Sequence, residues 1–184
     1  MTSLPLVFVT SRAEKAAEAA RFGFDLERLD MDLPEPQALD PSEIVAVKAR
    51  AAYALLERPV LVEDSGLSVA AWGGFPGALV KWVERSAGVA ALAKMLDAFP
   101  DRSATAVCAI AYCDGGEVVS ARGEVSGAIA PAPRGANGFG WDVIFVPEGG
   151  SRTFAEMAPA EKDRVSHRRR AWEALAARLP VARR

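Results

Sequence analysis

The sequence predicts an α/β fold in which a central mixed sheet is flanked by helices. Three features of the 184-residue chain indicate this class. Strand-like and helix-like segments alternate through the first half. In the second half, two strand-like runs flank Asp-Gly-Gly, which is a hairpin signal. Helical periodicity returns near the C-terminus. We therefore expect a single domain over residues 1–184, with two lobes around a cleft.

The first elements follow a strand–helix–strand pattern. The apolar segment LPLVFVT, residues 4–10, predicts a buried strand. Thr10 or Ser11 is suited to cap the helix that residues 12–22 predict. A second strand is expected around Leu26.

The middle of the chain continues the alternation. Asp40 and Pro41 mark a helix start, because aspartate caps helices and proline fits the first helical position. Residues 59–64 predict a strand that ends in two acids. Residues 65–79, with four glycines and a proline, predict a loop. A helix is expected over residues 87–99.

The second half contains the predicted hairpin, residues 103–127, and a short strand at residues 143–147. Residues 158–179 have the pattern of one or two helices. Cys108 and Cys113 lie in the first hairpin strand, and their odd spacing places them on opposite faces. Two such thiols predict buried side chains in a reducing cytoplasm rather than a disulfide framework.

Composition narrows the functional classes. The formal net charge is −2 and 51% of the residues are hydrophobic, a balance typical of a soluble globular protein. A protein that grips long nucleic acid usually presents a broad basic face, which this balance does not indicate. The apolar stretches are too short to span a membrane, and the first residues lack the pattern of a secretory leader. We expect a cytoplasmic protein that binds neither nucleic acid nor membrane.

Lys48 lies on a helix face that is otherwise apolar. Helical spacing places it among Ile44, Ala51, Ala52 and Leu55. One interpretation is that its stem is buried while its ammonium group reaches water. The other is that this face borders a cleft that holds an anion.

Arg168 is also predicted to face inward. It lies four residues before Trp172 and therefore extends a stripe that continues to Leu175 and Leu179. A guanidinium group on an inward face needs an acceptor partner. Ser166 is suited to cap this helix.

Glu63 and Asp64 follow a predicted buried strand, at the end of a sheet where ligands gather in α/β proteins. Together with Glu35 from the preceding loop, they supply oxygen ligands of the kind that a hard divalent ion such as Mg²⁺ prefers. A capping or turn role for Asp64 stays open.

The segment from Thr10 to Lys15 is a candidate phosphate site. A strand, a short polar turn and a helix start offer free backbone N–H groups at the positive end of the helix dipole. Lys15 adds a positive charge one turn into the helix. The segment lacks the glycine-rich P-loop pattern, so this signal is weak by itself.

The glycine-rich stretch RGANGFGWDVIF, residues 134–145, places two large aromatic side chains in a loop. Phe139 and Trp141 either plug a core or form a platform for a flat ligand. Asp142 follows them directly, before an apolar run.

Taken together, these segments resemble the inosine triphosphate pyrophosphatase family. The resemblance covers nearly the whole chain, and its motifs occur in the family's order: FVTSRAEK, DLPE, SEIVAVKARAA, VEDSGL, GGFPGALVKW, GFGWDVIFVPEG, TFAEM and EKDRVSHRRRA. It implies an elongated α/β fold with two lobes and a deep cleft, and a homodimer. It also implies magnesium-dependent hydrolysis of ITP, dITP and XTP to a nucleoside monophosphate and pyrophosphate.

The resemblance also implies roles for individual residues. Glu35 and Asp64 match the acids of the metal and catalytic site, and we expect Asp64, or Glu63 beside it, to deprotonate the attacking water. Lys15, Lys48 and Lys81 match the lysines that hold the triphosphate. Phe139, Trp141 and Asp142 match the base-pocket motif, and Lys162, His167 and Arg168 match the pattern around the base. We also expect substrate contacts from Thr10, Ser11, Arg12, Ser65 and Gly140.

Arg12 departs from the family pattern, which usually has asparagine at this position. An asparagine amide both donates and accepts hydrogen bonds, whereas a guanidinium group only donates. Arg12 therefore contacts a phosphate group directly, changes how the triphosphate lies, or changes the substrate range.

Two other functions stay open. One is a pyrophosphatase that acts on other modified or canonical nucleotides, as in the Maf-type proteins. The other is a nucleotide-binding sensor without turnover.

Overall fold

The computed structural model describes residues 6–179 and confirms the mixed α/β prediction. Within these residues, seven strands form one sheet: β1 (Leu6–Val9), β2 (Leu26–Leu29), β3 (Val60–Val69), β4 (Pro76–Gly77), β5 (Ser103–Cys113), β6 (Val119–Ile129) and β7 (Phe145–Pro147). The α-helices are α1 (Ala13–Arg21), α2 (Pro41–Leu56), α3 (Val80–Ser86), α4 (Val89–Met95), α5 (Pro159–Val165) and α6 (His167–Ala176). Part of the predicted first strand, Leu4 and Pro5, lies outside the described residues.

The sheet is parallel on one side and antiparallel on the other. Its strand order is β2–β1–β3–β5–β6–β7, and β4 also pairs with β3. β1 is parallel to β2 and to β3, while β3, β5, β6 and β7 pair antiparallel in turn. The predicted hairpin is thereby confirmed as β5–β6.

One edge of β3 is divided between two short partners. β1 pairs with its beginning, residues 60–62, and β4 pairs with Leu67 and Ser68 near its end. On that edge, residues 63–66 have neither neighbour, although β5 pairs with β3 along its whole length. The sheet is therefore open at this point, directly beside the end of β1.

The structure corrects the prediction for this strand. Glu63 and Asp64 do not end it but lie in its middle, and residues 65–69 continue it. The glycines that suggested a loop begin with Gly66, where a Cβ atom would overlap the backbone of Gly77 and Ala78. Gly66 therefore reflects close strand packing rather than a turn. The sequence reading also missed α3.

Three apolar clusters hold the layers together. On one face of the sheet, Val7 and Val62 pack against α2 through Val45. On the other face, Phe8 and Leu61 pack with α1 and α6. The third cluster lies around the ends of β3 and β5 and includes Leu67, Leu92 and Phe145.

The α2 helix starts as predicted but presents a different face to the core. Pro41 is its first residue, and the Asp40 side chain accepts a hydrogen bond from the Ser42 N–H at 2.8 Å. Its buried stripe contains Val45 and Ala49, whereas Leu55, predicted to face inward, is 64% exposed. Lys48 therefore lies at the border of the buried stripe.

The C-terminal segment forms two helices, α5 and α6. Ser166 caps α6 as predicted, accepting hydrogen bonds from the N–H groups of Arg168 and Arg169. Trp172 and Arg168 are both fully buried. Cys108 and Cys113 are buried in clusters on opposite faces of the sheet, as their spacing predicts.

We predict that Gly123→Ala destabilises the protein by about 1–3 kcal/mol, because overpacking costs this much in a close-packed interior. On β6, an added Cβ atom would overlap the His167 carbonyl oxygen and the Ala171 nitrogen, so α6 must move away from the sheet. Urea unfolding measures the loss. Gly116→Ala is the control, because its nearest neighbour, an Asp114 carboxylate oxygen, is 3.4 Å away. Equal stability of the two variants would contradict the prediction.

Candidate active site

A cleft of about 660 Å³ opens where β3 lacks its edge partners. It is lined by every residue that the sequence assigned to a site except Lys162: Thr10, Ser11, Arg12, Lys15, Glu35, Lys48, Glu63, Asp64, Ser65, Lys81, Phe139, Gly140, Trp141, Asp142, His167 and Arg168. These side chains come from segments far apart in the sequence, and the fold brings them together.

The adjacent acids of β3 face opposite sides of the sheet, because successive side chains in a strand alternate. Glu63 points toward α6. It accepts hydrogen bonds from Arg168 Nε at 2.9 and 3.1 Å and from Trp172 Nε1 at 3.1 Å, and Lys15 Nζ lies 3.3 Å away. Burial alone would raise its pKa, but the charges of Arg168 and Lys15 outweigh burial and lower the pKa. Glu63 is a fully engaged, charged carboxylate.

Asp64 points toward α2 and is the less engaged of the two acids. Its Oδ1 lies 3.8 Å from Lys48 Nζ, and its buried Oδ2 has no hydrogen-bond partner among the described residues. Burial raises the pKa of this carboxyl group, although Lys15 and Lys48 oppose the rise. A buried acceptor without a partner is costly, so this oxygen is available to a ligand.

Beneath the cleft, a buried network of charges joins three segments. Glu18 of α1 accepts hydrogen bonds from Arg168 Nη1 and, at 2.7 Å, from Lys162 Nζ. Lys162 also donates to Asp142 Oδ2 at 2.6 Å. Burial would raise the pKa of Glu18, but Arg168 and Lys162 outweigh it and lower the pKa to about 2. The sequence reading missed Glu18, although it lies three residues after Lys15 and next to the buried Ala19.

The turn between β1 and α1 lines the cleft with polar groups. Arg28 donates to the carbonyl oxygens of this turn, with Nε 3.2 Å from Thr10 O and Nη2 2.9 Å from Ser11 O. The N-cap residue is Arg12, and its side chain makes no capping hydrogen bond, so the prediction that Thr10 or Ser11 caps the helix is wrong. Thr10 Oγ1 instead accepts from the Arg12 N–H at 3.2 Å. The first turn of α1 thus keeps N–H groups for a ligand.

Two lysines that line the cleft contact Glu35. Lys48 Nζ donates to Glu35 Oε1 at 2.8 Å, and Lys81 Nζ contacts Oε2. Burial, together with the nearby Arg85, lowers the pKa of Lys81. Lys48 also reaches Asp64, so it stands between the two carboxylates.

These two carboxylates fit the needs of Mg²⁺. No group of three or more His, Cys, Asp or Glu side chains suited to a metal occurs within residues 6–179. Mg²⁺ usually takes one or two carboxylates and completes its shell with water and substrate phosphates. Asp64 and Glu35, which both line the cleft, supply that number.

The two aromatic side chains of the glycine-rich loop have different positions. Trp141 is buried and packs edge-on against Phe145, with ring centroids 5.8 Å apart. Phe139 is half-buried and lines the cleft. Its ring centroid lies 5.3 Å from the Arg168 guanidinium carbon and 5.1 Å from Lys162 Nζ. Trp141 therefore packs into the core, whereas the Phe139 ring, which we call the platform, lines the cleft.

Glycine is required on both sides of Phe139. Gly138 and Gly140 have φ angles of 70° and 61°, in the left-handed region. A Cβ atom at Gly138 would also overlap the Asp142 carboxylate, which accepts the Phe139 N–H at 2.9 Å. The Asp142 side chain therefore holds this loop through its hydrogen bond from the Phe139 N–H.

His167 adds an uncharged polar group at the end of the cleft. It is 1% exposed, and neither ring nitrogen has a hydrogen-bond partner among the described residues. Burial, with the charges of Arg168 and Lys162, lowers its pKa well below the usual value. A neutral imidazole offers one donor and one acceptor.

Lys162 lies behind the platform rather than in the cleft. It lines a smaller cavity of about 200 Å³ with Glu18, Phe139 and Phe154. Two carboxylates hold its ammonium group, which lies 5.1 Å from the Phe139 ring centroid.

Comparison with known proteins gives the family. The sequence profile of the Ham1 family matches residues 6–178. The chain belongs to the Ham1 family. A dITP/XTP pyrophosphatase of Methanopyrus kandleri is 42% identical over 178 residues, which are 94% of this chain and 95% of the relative. An inosine triphosphate pyrophosphatase of Yarrowia lipolytica is 44% identical over 178 residues, 94% of each chain. The resemblance found in the sequence is confirmed.

Solved structures agree with the fold. A HAM1 protein from Coxiella burnetii superposes with a TM-score of 0.83 at 30% identity, covering 98% of this chain and all of that one. A nucleoside-triphosphatase, or dITP/XTP pyrophosphatase, from Mycobacterium abscessus gives 0.73 at 38% identity, covering 95% of this chain and 99% of that one. Within residues 6–179, no helix combines the length and apolar character that a membrane span requires.

We predict that Glu18→Gln flattens the acid limb of the stability profile. A pKa depressed from 4.5 to about 2 stabilises the folded state above pH 4.5 by about 3 kcal/mol. This contribution is lost as the pH falls from about 4.5 toward 2. The variant should be less stable at neutral pH and lose less stability over that window.

Urea unfolding at several pH values measures this effect. Glu14→Gln, an exposed acid on the same helix, is the matched control and should follow the wild type. A Glu18→Gln profile parallel to that of the wild type would contradict the prediction.

Proposed function

We propose that this protein hydrolyses non-canonical purine nucleoside triphosphates, namely ITP, dITP and XTP, to the monophosphate and pyrophosphate. The observation that carries the proposal is the cleft itself, which joins a cationic seat, a partnerless buried carboxylate and an aromatic platform. The curated relatives, which match nearly their full length, are named for pyrophosphatase activity on these nucleotides.

The triphosphate lies between the β1–α1 turn and the two lysines that contact Glu35. A nucleoside triphosphate carries about four negative charges near neutral pH, which Lys15, Lys48 and Lys81 offset. The first turn of α1 adds N–H donors. Binding displaces Glu35 from the lysine ammonium groups, because phosphate oxygens compete for the same donors.

Asp64 and Glu35 would hold Mg²⁺ together with phosphate oxygens. A bound ion would supply charge neutralisation at the phosphate groups and would help to orient the triphosphate for attack by water. The protein contributes the carboxylates and the lysines around them.

Asp64 accepts the proton of the attacking water. Its Oδ2 has no hydrogen-bond partner among the described residues and is available to the water. Glu63 is unsuited to this role, because both of its oxygens already accept from Arg168 and Trp172. Water attacks the α-phosphorus, the α–β bond breaks, and pyrophosphate leaves with its charge offset by the lysines.

The base is selected at Phe139. The purine stacks on its ring, where Arg168 and His167 meet it. Arg168 Nη2 makes no hydrogen bond among the described residues, while its Nε and Nη1 are held by carboxylates. The 6-oxo group of a purine accepts hydrogen bonds from such donors. The 6-amino group of adenine does not accept them, so it leaves buried donors without partners.

We also propose a cytoplasmic homodimer without nucleic-acid or membrane partners. Phe75 and Phe99 are exposed and both pack against Trp72, and this apolar group supports an interface between copies. The free, buried cysteines support a reducing compartment. Sedimentation measures the mass of the assembly, and a monomer would contradict the dimer.

The test is pyrophosphate release from ITP, dITP, XTP, ATP and GTP, with Mg²⁺ and with chelator. We expect kcat/KM for ITP to exceed that for ATP by about a hundredfold, since buried unpaired donors cost 1–3 kcal/mol. Chelator should abolish turnover. Equal rates on all five would favour a broader pyrophosphatase of the Maf type, and binding without product would favour a sensor.

We predict that Asp64→Asn lowers kcat for ITP by about 10²–10⁴-fold, the usual contribution of a general base. Calorimetry should still detect ITP binding, because the lysines are unchanged. Asp25→Asn, an exposed aspartate, is the control and should retain wild-type turnover. Full turnover of Asp64→Asn would show that another group activates the water.

A further inference from the structure

An ion pair joins two segments that line the cleft. Arg12 Nη2, at the start of α1, lies 3.2 Å from Glu84 Oε2 on α3. The two side chains are 37% and 14% exposed, so the carboxylate is the more enclosed partner. Both residues line the cleft. The two residues are 72 positions apart in the sequence, and their contact connects the start of α1 to α3.

The pair is seated against the platform loop. The Arg12 guanidinium carbon lies 5.6 Å from the Phe139 ring centroid. Glu84 Oε1 lies 2.8 Å from the position that a Cβ atom would take at Gly140. A side chain at Gly140 would displace this carboxylate, so the glycine allows Glu84 to reach the loop. Arg12, Glu84 and the loop at Gly140 thus meet between the β1–α1 turn and the ring of Phe139.

Glu84 would repel phosphate groups in a cleft that binds a polyanion. Its contact with Arg12 explains why a carboxylate lies there. A guanidinium group has five N–H donors in a rigid fork, and Glu84 engages only Nη2. Among the described residues, Nε and Nη1 of Arg12 make no hydrogen bond, so they stay available while the side chain is held.

We infer that Glu84 is a positioning residue for Arg12. It fixes the guanidinium group between the α1 turn and Phe139, so that the free N–H groups of Arg12 meet the nucleotide where its phosphate chain joins the base-bearing end. This inference rests on the proposed function. It assigns to Glu84 a role through Arg12, without contact between Glu84 and the substrate.

The sign of one measurement separates this role from simple charge repulsion. If Glu84 only repels phosphate or competes with it for Arg12, Glu84→Gln must lower KM. If Glu84 positions Arg12, the same substitution raises KM, because the freed guanidinium loses its orientation. Glutamine preserves the size of the side chain and removes its charge.

The experiment compares the wild type, Glu84→Gln, Arg12→Gln and the double variant in ITP hydrolysis. We expect each single substitution to raise KM about fivefold and to change kcat less than about twofold, as for a lost binding interaction. The double variant should match the single variants, because the two residues act as a unit. Glu27→Gln is the control, since Glu27 forms a comparable 2.8 Å pair with Arg58.

A lower or unchanged KM in Glu84→Gln, or effects that multiply in the double variant, would overturn the inference. Titration of the same proteins with inorganic tripolyphosphate reads the role without turnover, and Glu84→Gln should bind it about fivefold more weakly. If the wild type fails to hydrolyse ITP, the proposed function fails. The tripolyphosphate titration then still decides whether Glu84 strengthens or weakens anion binding.

Discussion

The cleft depends on the buried pairing of Arg168 with Glu63 and Glu18. These charges come from α6, β3 and α1, and none of them is more than 4% exposed. A buried charge without a partner is strongly destabilising, so each element is held in the position that satisfies the other two. Lys162 extends the network to Asp142 and thereby to the loop that carries Phe139. The floor of the cleft and its platform are one connected structure.

The open edge of β3 turns this framework into a site. Because adjacent side chains of a strand face opposite ways, Glu63 is directed to the network and Asp64 to the lysines of the cleft. One acid stabilises the fold, and the other keeps a free oxygen. The same short segment therefore serves structure and chemistry without conflict between them.

Much of the fold followed from local sequence signals. The turn residues predicted the β5–β6 hairpin, and the capping aspartate and the proline predicted the start of α2. The spacing between Arg168 and Trp172 predicted that Arg168 faces inward. Long-range packing was not accessible in this way. Gly66 was predicted to lie in a loop. Glycine is needed there because the backbone of Gly77 comes close to it, and the sequence does not show this contact.

The residues of the candidate site were found mostly through family resemblance, whereas their division of labour needed coordinates. Sequence placed Glu63 and Asp64 together and could not separate them, since their partners lie more than a dozen residues away. Lys162 was expected in the cleft, but two carboxylates hold it behind Phe139. Glu84 carried no sequence signal, because its partner Arg12 is 72 residues distant.

Amide hydrogen exchange of Glu63→Gln tests the role of the buried network most directly. If one network holds the cleft, loss of this charge must raise exchange together in residues 13–21, 60–69 and 167–176, because all three elements share it. Exchange that rises only within residues 60–69 would show that Glu63 acts locally and that the elements around the cleft are held independently.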